Sequence, residues 1–384
     1  MVELTRKKII SLILVVAILI FVSLMWNAFI SDRQTEIQKL NDYHGAVLDE
    51  NVDVPLVSLV ATDLRIPWSL DFMPDGSIIF TEREGNLRLV DNNGGLLDEP
   101  LLVVNDAEHT GEGGLLGVTL HPEFDTNGYI YLYYTYRDSE NDLTNRVVRY
   151  QMRDLNFHNM TIIVDGIPGA NIHNGGRIKF GPEGHLYITT GDAGIADLAQ
   201  DVDSLAGKIL RIKEDGSVPE DNPFPGSPVF SLGHRNPQGL VWDSDKRLWS
   251  TEHGATGNDE LNLIEAGKNY GWPLIEGPET APGLESPVIH SGRNTWAPSG
   301  ADYFEGSVYF GGLRGQSLYE AKVYETPPDL IIHFDGEFGR LRGVFSGPDG
   351  NLYIFTSNRD GRGVPLSRDD QIIRVNPQKV HAQS

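Results

Sequence analysis

The chain has 384 residues, which is enough for one large domain or two of ordinary size. It has no cysteine, so disulfides and thiolate metal sites are excluded, and its formal net charge of −23 argues against a nucleic-acid-binding surface. Its 42 glycines and 22 prolines are typical of a chain with many turns between short strands.

The N-terminal segment has the pattern of a membrane anchor. Ile9 to Ile30 form a run of 22 residues without a charge, long enough for one transmembrane helix. Arg6, Lys7 and Lys8 precede the run, which predicts a cytoplasmic N-terminus and an extracytoplasmic remainder, at the cell surface or in the periplasm. The alternative is a cleaved signal peptide, whose apolar region would be shorter. We therefore expect residues 1–30 to be a short cytoplasmic segment and an anchor, and the polar residues 31–52 to be a linker.

From residue 53 onwards, one phrase recurs six times: a turn, an apolar strand and then a second strand. The predicted strand pairs are Ser77–Thr81 with Asn86–Asp91, Tyr129–Thr135 with Arg146–Tyr150, His185–Thr190 with Lys208–Ile212, Arg247–Thr251 with Glu260–Ile264, Ser307–Phe310 with Ser317–Lys322, and Asn351–Thr356 with Gln371–Val375. The copies begin about 44 to 62 residues apart, which is typical of propeller blades.

The sequence thus predicts an all-β, six-bladed β-propeller over residues 53–378, with about four strands in each blade and a short tail at 379–384. A ring of blades must also hide its first and last edges. The apolar segment Leu56–Ala61 precedes the first phrase, and we expect it to complete the last blade. A pair of β-sandwiches is the alternative, but the even spacing of the copies favours the propeller.

Polar, glycine-rich loops flank the predicted strands, and propellers gather such loops at one mouth of the central channel. His173 lies in the loop His173–Arg177, and histidine is the side chain best suited to remove a proton near neutral pH. Arg235 lies in the loop Gly233–Gly239, where a guanidinium could hold a carboxylate or a developing oxyanion. A structural loop histidine and a surface arginine remain the alternatives.

Two further loops suggest ligands. The segment Glu252–Asn262 is rich in oxygen donors and glycine, as calcium prefers, although its order does not match an EF-hand. Arg340 and Arg342 alternate along a predicted strand and therefore share one face. Two cations on one face of so acidic a protein suggest an anionic ligand, and the alternative is a solvated basic face.

These loops resemble a known family. The phrases that carry the resemblance are Gly113–Gly117 with His121 and Pro122, His173–Arg177, Gly233–Gly239 and Asn269–Pro273. In this order they are similar to the pyrroloquinoline quinone (PQQ) dependent glucose/sorbosone dehydrogenases, over roughly residues 55 to 377. The short loops resemble the aldose-type branch more than the soluble glucose enzyme.

The resemblance implies roles for individual residues. His173 matches the catalytic base, and Arg235 matches a residue that contacts PQQ and stabilises charge on the quinone oxygen. The remaining matches are Asn236 as a PQQ contact, Arg340 and Arg342 as a clamp on its carboxylates, Gly254 and Ala255 as backbone ligands of the cofactor-bound calcium, and Glu260 and Tyr270 as a calcium site nearby.

Three positions depart from the family pattern. Glu112 stands where the glucose enzyme has glutamine, and it places a carboxylate near an anionic cofactor. One of the cofactor arginines would hold Glu112, or the PQQ anion would keep it protonated. Arg314 stands where a lysine is usual, which keeps the charge but changes the geometry. Ala255 replaces a proline, which matters little if only its carbonyl is used.

The function implied is PQQ- and calcium-dependent oxidation of aldose sugars at C1 to lactones, with electrons passed to a quinone or a redox protein. A calcium-dependent propeller lactonase is one alternative, but it would need carboxylates and asparagines around the metal and no set of arginines. A non-catalytic ligand-binding propeller, as in hedgehog-interacting relatives of the family, is another. The joint presence of His173, Arg235, Arg340 and Arg342 argues against it.

Overall fold

The computed structural model describes residues 55–381. The predicted anchor and the predicted linker lie outside the described residues, so the membrane-anchor hypothesis stays a prediction. Among residues 55–381, no helix is both long enough and apolar enough to span a bilayer.

The described chain forms six four-stranded antiparallel sheets, which confirms the predicted all-β, six-bladed propeller. The first three blades comprise β2 (Pro67–Phe72), β3 (Ile78–Glu82), β4 (Asn86–Val90) and β5 (Leu102–Val103); β6 (Leu115–Leu120), β7 (Tyr129–Arg137), β8 (Leu143–Arg153) and β9 (Asn156–Pro168); and β10 (Ile178–Phe180), β11 (Leu186–Thr190), β12 (Lys208–Ile212) and β13 (Val229–Leu232). The predicted strand pairs correspond to the second and third strands of each blade.

The other three blades follow the same order. They comprise β14 (Pro237–Trp242), β15 (Leu248–Glu252), β16 (Glu260–Ile264) and β17 (Ile289–His290); β18 (Pro298–Phe304), β19 (Ser307–Gly312), β20 (Leu318–Lys322) and β21 (Asp329–His333); and β22 (Leu341–Ser346), β23 (Leu352–Thr356), β24 (Ile372–Val375) and β1 (Val57–Ala61). The sixth sheet has the order β22–β23–β24–β1, so the N-terminal strand completes the last blade as predicted. Two short helices, α1 (Phe124–Asn127) and α2 (Pro377–His381), and a 3₁₀ turn at Ala196–Ala199 lie outside the sheets.

The apolar core lies between adjacent blades. Between the second and third blades, for example, Tyr131 and Tyr133 of β7 pack with Ile188 of β11 and Leu210 of β12, and all four side chains are fully buried. The first strands of the six blades are neighbours of one another and surround the central channel. This packing fixes the strand ends, so the loops that enter the first strands meet at one mouth of the channel.

Candidate active site

The candidate site lies at the mouth where the first strands of the blades begin. His173 precedes β10, Arg235 and Asn236 precede β14, and Arg340 precedes β22, in which Arg342 lies. The loops that follow the second strands reach the same mouth, because these strands run antiparallel to the first. The structure therefore brings together these five residues that the sequence singled out.

The backbone holds His173 in an uncommon conformation. Its φ is +57°, in the left-handed region, and its N–H donates to Glu112 Oε2 at 3.0 Å. Gly175 also has a positive φ of +60°, and a Cβ there would lie 2.5 Å from the carbonyl oxygen of Thr189. The N–H of Gly175 donates to Asn236 Oδ1 at 3.0 Å, which ties this loop to the next blade.

The imidazole of His173 is oriented by Asp192, which follows β11 after Gly191. His173 Nδ1 lies 2.7 Å from Asp192 Oδ1. Burial acts to raise the pKa of Asp192, but the hydrogen bonds from His173, Gly194 and Trp272 outweigh it and hold the pKa below its usual value. An ionised Asp192 can only accept, so whenever the imidazole is neutral its proton sits on Nδ1 and Nε2 keeps its lone pair. That is the tautomer a general base needs.

Trp272 connects this pair to Arg235. Its indole Nε1 donates to Asp192 Oδ2 at 2.8 Å, and the guanidinium of Arg235 lies 5.2 Å from the centre of its ring. The Asp192 N–H also donates to the carbonyl of Arg235 at 2.8 Å. Asp192 is therefore in contact with His173, Trp272 and the backbone of Arg235 at the same time.

A second group, from the last blade, faces the same mouth. Arg340 is buried and donates to Asp360 Oδ2 from Nη2 at 2.7 Å and from Nε at 3.1 Å. Arg342 lies 3.7 Å from the same oxygen and donates from Nη1 to Gln238 Oε1 at 2.9 Å. Both side chains meet one carboxylate, as expected for residues on one face of a strand. Burial lowers the pKa of Arg342 to about 9, which still leaves it charged at neutral pH.

Glu112 is paired with an arginine that the sequence analysis did not single out. Its Oε1 accepts from Arg362 Nη1 at 2.7 Å, across 250 residues of chain. Burial acts to raise the pKa of Glu112, but the His173 N–H, Arg362 and His253 outweigh it and lower the pKa to about 2. In this structure Glu112 is therefore ionised, and none of Arg235, Arg314, Arg340 or Arg342 is its hydrogen-bond partner.

Several buried nitrogen atoms at this mouth have no hydrogen-bond partner among the described residues. They are Arg235 Nε, Asn236 Nδ2, His253 Nε2 and Arg342 Nε. Buried donors are ordinarily paired, and an anionic ligand with several acceptor oxygens would fit this set.

The predicted metal ligands fall into two places. Gly254 follows β15, and its N–H donates to Asp259 Oδ1 at 3.0 Å, while Ala255 beside it is exposed. A Cβ on Gly254 would lie 2.0 Å from the carbonyl oxygen of Gly257, so the turn requires glycine. Within residues 55–381, no cluster of three or more His, Asp or Glu side chains could hold a metal ion. A cation here would therefore depend on backbone oxygens and on the ligand itself.

Glu260 and Tyr270 lie on the outer side of the blade β14–β17, next to the loop that contains Gly254. Glu260 pairs with Glu252 in register, and burial together with the Glu252 charge raises the pKa of Glu260 to about 8. No ion pair of Glu260 occurs in the described part of the chain, so a cation would fit beside it. The Tyr270 hydroxyl donates to Leu263 O at 2.6 Å and accepts from the Glu265 N–H at 2.9 Å. That hydroxyl is already engaged, which leaves the backbone of Tyr270 as a possible ligand.

Arg314 differs from the other predicted cofactor residues. It is exposed, and its backbone N–H donates to Trp296 O at 3.0 Å. Its neighbour Leu313 accepts from Arg340 Nη1 at 2.9 Å, so Arg314 lies beside the buried arginines rather than among them.

The structure adds Asp192, Trp272, Asp360 and Arg362 to the residues predicted from sequence. One signal could have identified Asp192. The segment Gly191–Gly194 follows the second strand of its blade, as His253–Ala255 follows the second strand of the next blade. The same signal marks Asp360 and Arg362, because the segment Ser357–Gly363 follows β23, the second strand of the last blade.

Fold and site together define a six-bladed propeller with a histidine–aspartate pair and two buried arginines at one mouth. The chain belongs to the glucose/sorbosone dehydrogenase family, whose model matches residues 64–368. Aldose sugar dehydrogenase of Escherichia coli is 31% identical over 81% of this chain and 92% of that protein. The PQQ-bound structure of aldose sugar dehydrogenase from Streptomyces coelicolor covers 84% of this chain and 99% of that one, with 41% identity and a TM-score of 0.77. The apo structure of the soluble Escherichia coli enzyme has a TM-score of 0.76 at 30% identity, and covers 84% of this chain and 99% of that one.

Proposed function

We propose that the protein is a PQQ-dependent aldose dehydrogenase that oxidises sugars at C1 to lactones. Two features at one mouth carry the proposal. One is the hydrogen bond between His173 and Asp192, and the other is the set of unpartnered nitrogen atoms on Arg235, Asn236 and Arg342. Support comes from the solved relative that is titled as PQQ-bound. A lactonase would not require buried guanidinium groups with unpaired donors that can bind an anion.

In the proposed reaction, His173 Nε2 removes the proton from the C1 hydroxyl of the aldose. Asp192 holds the opposite nitrogen, so the imidazolium that forms stays in place and its charge is stabilised. PQQ, when bound, supplies the acceptor for the two electrons and the hydrogen that leave C1. Arg235 stabilises the negative charge that develops on the acceptor oxygen, and Arg340 and Arg342 hold the cofactor carboxylates.

We propose that calcium binds with the cofactor. The carbonyl oxygens of Gly254 and Ala255 would be its protein ligands, and a second calcium ion would lie near Glu260 and the backbone of Tyr270. Hard cations prefer such oxygen donors. Calcium at the first site would act as a Lewis acid on the quinone.

We also propose that the propeller is anchored by the helix predicted for Ile9–Ile30, and that it passes electrons to a quinone or a redox protein outside the cytoplasm. Protease added to cells with permeabilised outer layers should digest residues after Ile30. Protection of the propeller would contradict this topology, and recovery of a soluble form that begins near Ala28 would identify a cleaved signal peptide instead.

The function is tested by a dye-linked oxidation assay on the purified full-length protein, with and without added PQQ and calcium. We expect aldose oxidation only when both are present. Saturable PQQ binding without sugar oxidation would favour the non-catalytic propeller, and hydrolysis of added lactones without PQQ would favour the lactonase.

Replacement of Glu112 by glutamine should retain or tighten PQQ binding. An amide oxygen can still accept the His173 N–H, while the loss of the negative charge releases Arg362 and removes repulsion of the cofactor anion. Titration of PQQ into the calcium-loaded apoprotein, followed by quinone absorbance, measures the effect. If Glu112→Gln alone abolishes binding, Glu112 is itself a ligand of the metal or of a protonated cofactor atom.

A further inference from the structure

The loop between β16 and β17 brings the indole of Trp272 to the same mouth of the channel as the candidate active site. The Trp272 N–H donates to Gly233 O at 2.9 Å, which ties this loop to the third blade. The Trp272 carbonyl accepts from Gln200 Nε2 at 2.6 Å, and Gln200 Oε1 in turn accepts from Asn269 Nδ2 at 2.7 Å. The backbone of Trp272 is therefore held at both its N–H and its carbonyl, which gives the indole a defined place.

The indole contacts two residues with proposed roles in the reaction. Its Nε1 donates to Asp192 Oδ2 at 2.8 Å, while the other oxygen of this carboxylate lies 2.7 Å from His173 Nδ1. The guanidinium carbon of Arg235 lies 5.2 Å from the ring centre, within the range of a cation–π contact. One side chain thus meets the carboxylate that orients the base and the arginine that would stabilise charge on the acceptor.

The bond from Trp272 also stabilises the charge on Asp192. This carboxylate accepts from His173 Nδ1, from Trp272 Nε1 and, at 2.7 Å, from the Gly194 N–H. Burial acts to raise the pKa of Asp192, and these hydrogen bonds together hold it below its usual value. An indole N–H does not titrate, so it stabilises the ionised carboxylate at every working pH. Without it, the carboxylate would hold a proton more tightly, whether that proton lies on Asp192 or on His173.

We propose that Trp272 is a positioning residue of the redox site, which acts on the base through Asp192 and on the developing charge through Arg235. Because the indole shares the Asp192 carboxylate with His173, it keeps His173 Nε2 free of a proton down to a lower pH than the pair would reach alone. The inference rests on the proposed function, since that function assigns His173 as the base.

The two titratable groups nearest the His173–Asp192 pair keep one charge state near neutral pH. Burial acts to raise the pKa of Glu112, but its hydrogen bonds and nearby cations lower it to about 2, and burial lowers the pKa of His253 to about 3. The other charged or titratable groups nearby are Arg235, Arg342, Arg362 and the hydrogen-bonded pair of His234 and Glu252. Among the described residues, the indole N–H has no hydrogen bond to any of them. Its removal therefore reports on the His173–Asp192 pair.

The main test compares the full-length wild type with Trp272→Phe, which keeps a ring against Arg235 but lacks the N–H donor. In steady-state assays with PQQ and calcium, we expect kcat to fall roughly tenfold, the scale of one hydrogen bond to a charged group, with little change in KM. The acid limb of the kcat profile should move to higher pH by about 0.5–1 unit. A rise in KM with unchanged kcat would make Trp272 a substrate contact and contradict the proposal.

A second measurement needs neither cofactor nor substrate. The pH at which the His173–Asp192 pair takes up a proton is followed in the full-length apoprotein by NMR of the imidazole nitrogens, with the His173 signal assigned by its absence in His173→Asn. This midpoint should lie at higher pH in Trp272→Phe than in the wild type, and an unchanged midpoint overturns the inference. A wild type that oxidises no sugar would sink the proposed function, whereas the midpoint would still decide this inference.

Trp249 provides a matched control at the opposite end of its blade. Its Nε1 donates to Asp243 Oδ2 at 2.9 Å, and the guanidinium of Arg247 lies 5.6 Å from its ring centre. Trp249→Phe removes the same kind of bond away from the site, so it should leave the pH profile and the midpoint unchanged. Equal effects of the two variants would indicate a general loss of stability and overturn the proposal.

An isosteric replacement covers the case in which Trp272→Phe does not fold. Benzothienylalanine at position 272 has sulfur in place of the indole N–H, so it removes the donor at nearly the same volume. It should shift the midpoint in the same direction as Trp272→Phe, and a midpoint equal to that of the wild type rejects the role of the indole N–H.

Discussion

Replacement of His173 by alanine is expected to lower kcat for aldose oxidation by roughly 10² or more, the usual scale for a positioned general base. PQQ affinity should change little, because we propose that the arginines, and not this imidazole, hold the cofactor. Steady-state kinetics with a dye acceptor, together with a PQQ titration, measures both effects.

The backbone at this position calls for a second variant. His173 has a φ of +57°, which alanine adopts poorly and asparagine tolerates, so His173→Asn removes the base with less strain. We expect the two variants to lose kcat to a similar extent. Near-normal turnover in His173→Asn would reassign the base, and His234 and His253 would be the next candidates.

Replacement of Arg340 by alanine is expected to weaken PQQ binding by about 1–3 kcal/mol, the scale of a lost charge-assisted hydrogen bond. The side chain is buried and also donates to Asp360, so its loss removes a cation and one partner of that carboxylate. Quinone absorbance during a PQQ titration of the calcium-loaded apoprotein gives the affinity, and the unfolding temperature reports any loss of fold.

Arg314 provides the matched control for this prediction. It belongs to the same predicted cluster but is exposed, so Arg314→Ala should cost clearly less affinity than Arg340→Ala. Equal losses would mean that the cofactor lies nearer the outer arginine than we propose. If wild-type protein shows no saturable binding at micromolar PQQ, the dehydrogenase proposal itself fails.

The repeated strands were predictable because turn signals and apolar runs are local. The predicted strands Lys208–Ile212 and Glu260–Ile264 agree with β12 and β16 at both ends. β8 is longer than predicted, since it extends from Leu143 to Arg153 beyond the predicted Arg146–Tyr150. Its extra residues pair with the long β9. A local sequence pattern does not show which strand will lie beside it, so this extension could not be predicted.

The site was predictable only in part, because some of its contacts join residues that are far apart in sequence. His173, Arg235 and Arg340 stand in distinctive glycine-rich phrases, and the structure places all three at one mouth. Asp360 and Arg362 owe their importance to partners that are distant in sequence, since Arg362 meets Glu112 across 250 residues. Single-sequence reasoning could suggest that Glu112 was held by an arginine, but it could not identify which one.

The separation of the inter-blade cores from the mouth loops has a consequence for how such a protein can evolve. Tyr133 and Ile188 stabilise the ring from positions within the strands, whereas His173 and Trp272 lie in the connecting segments. A loop can therefore gain or lose residues without disturbing the layers that keep the blades together. New substrate preferences can arise by loop replacement on an unchanged scaffold. Laboratory evolution of a different sugar preference should accordingly concentrate its diversity in these loops and leave the strands alone.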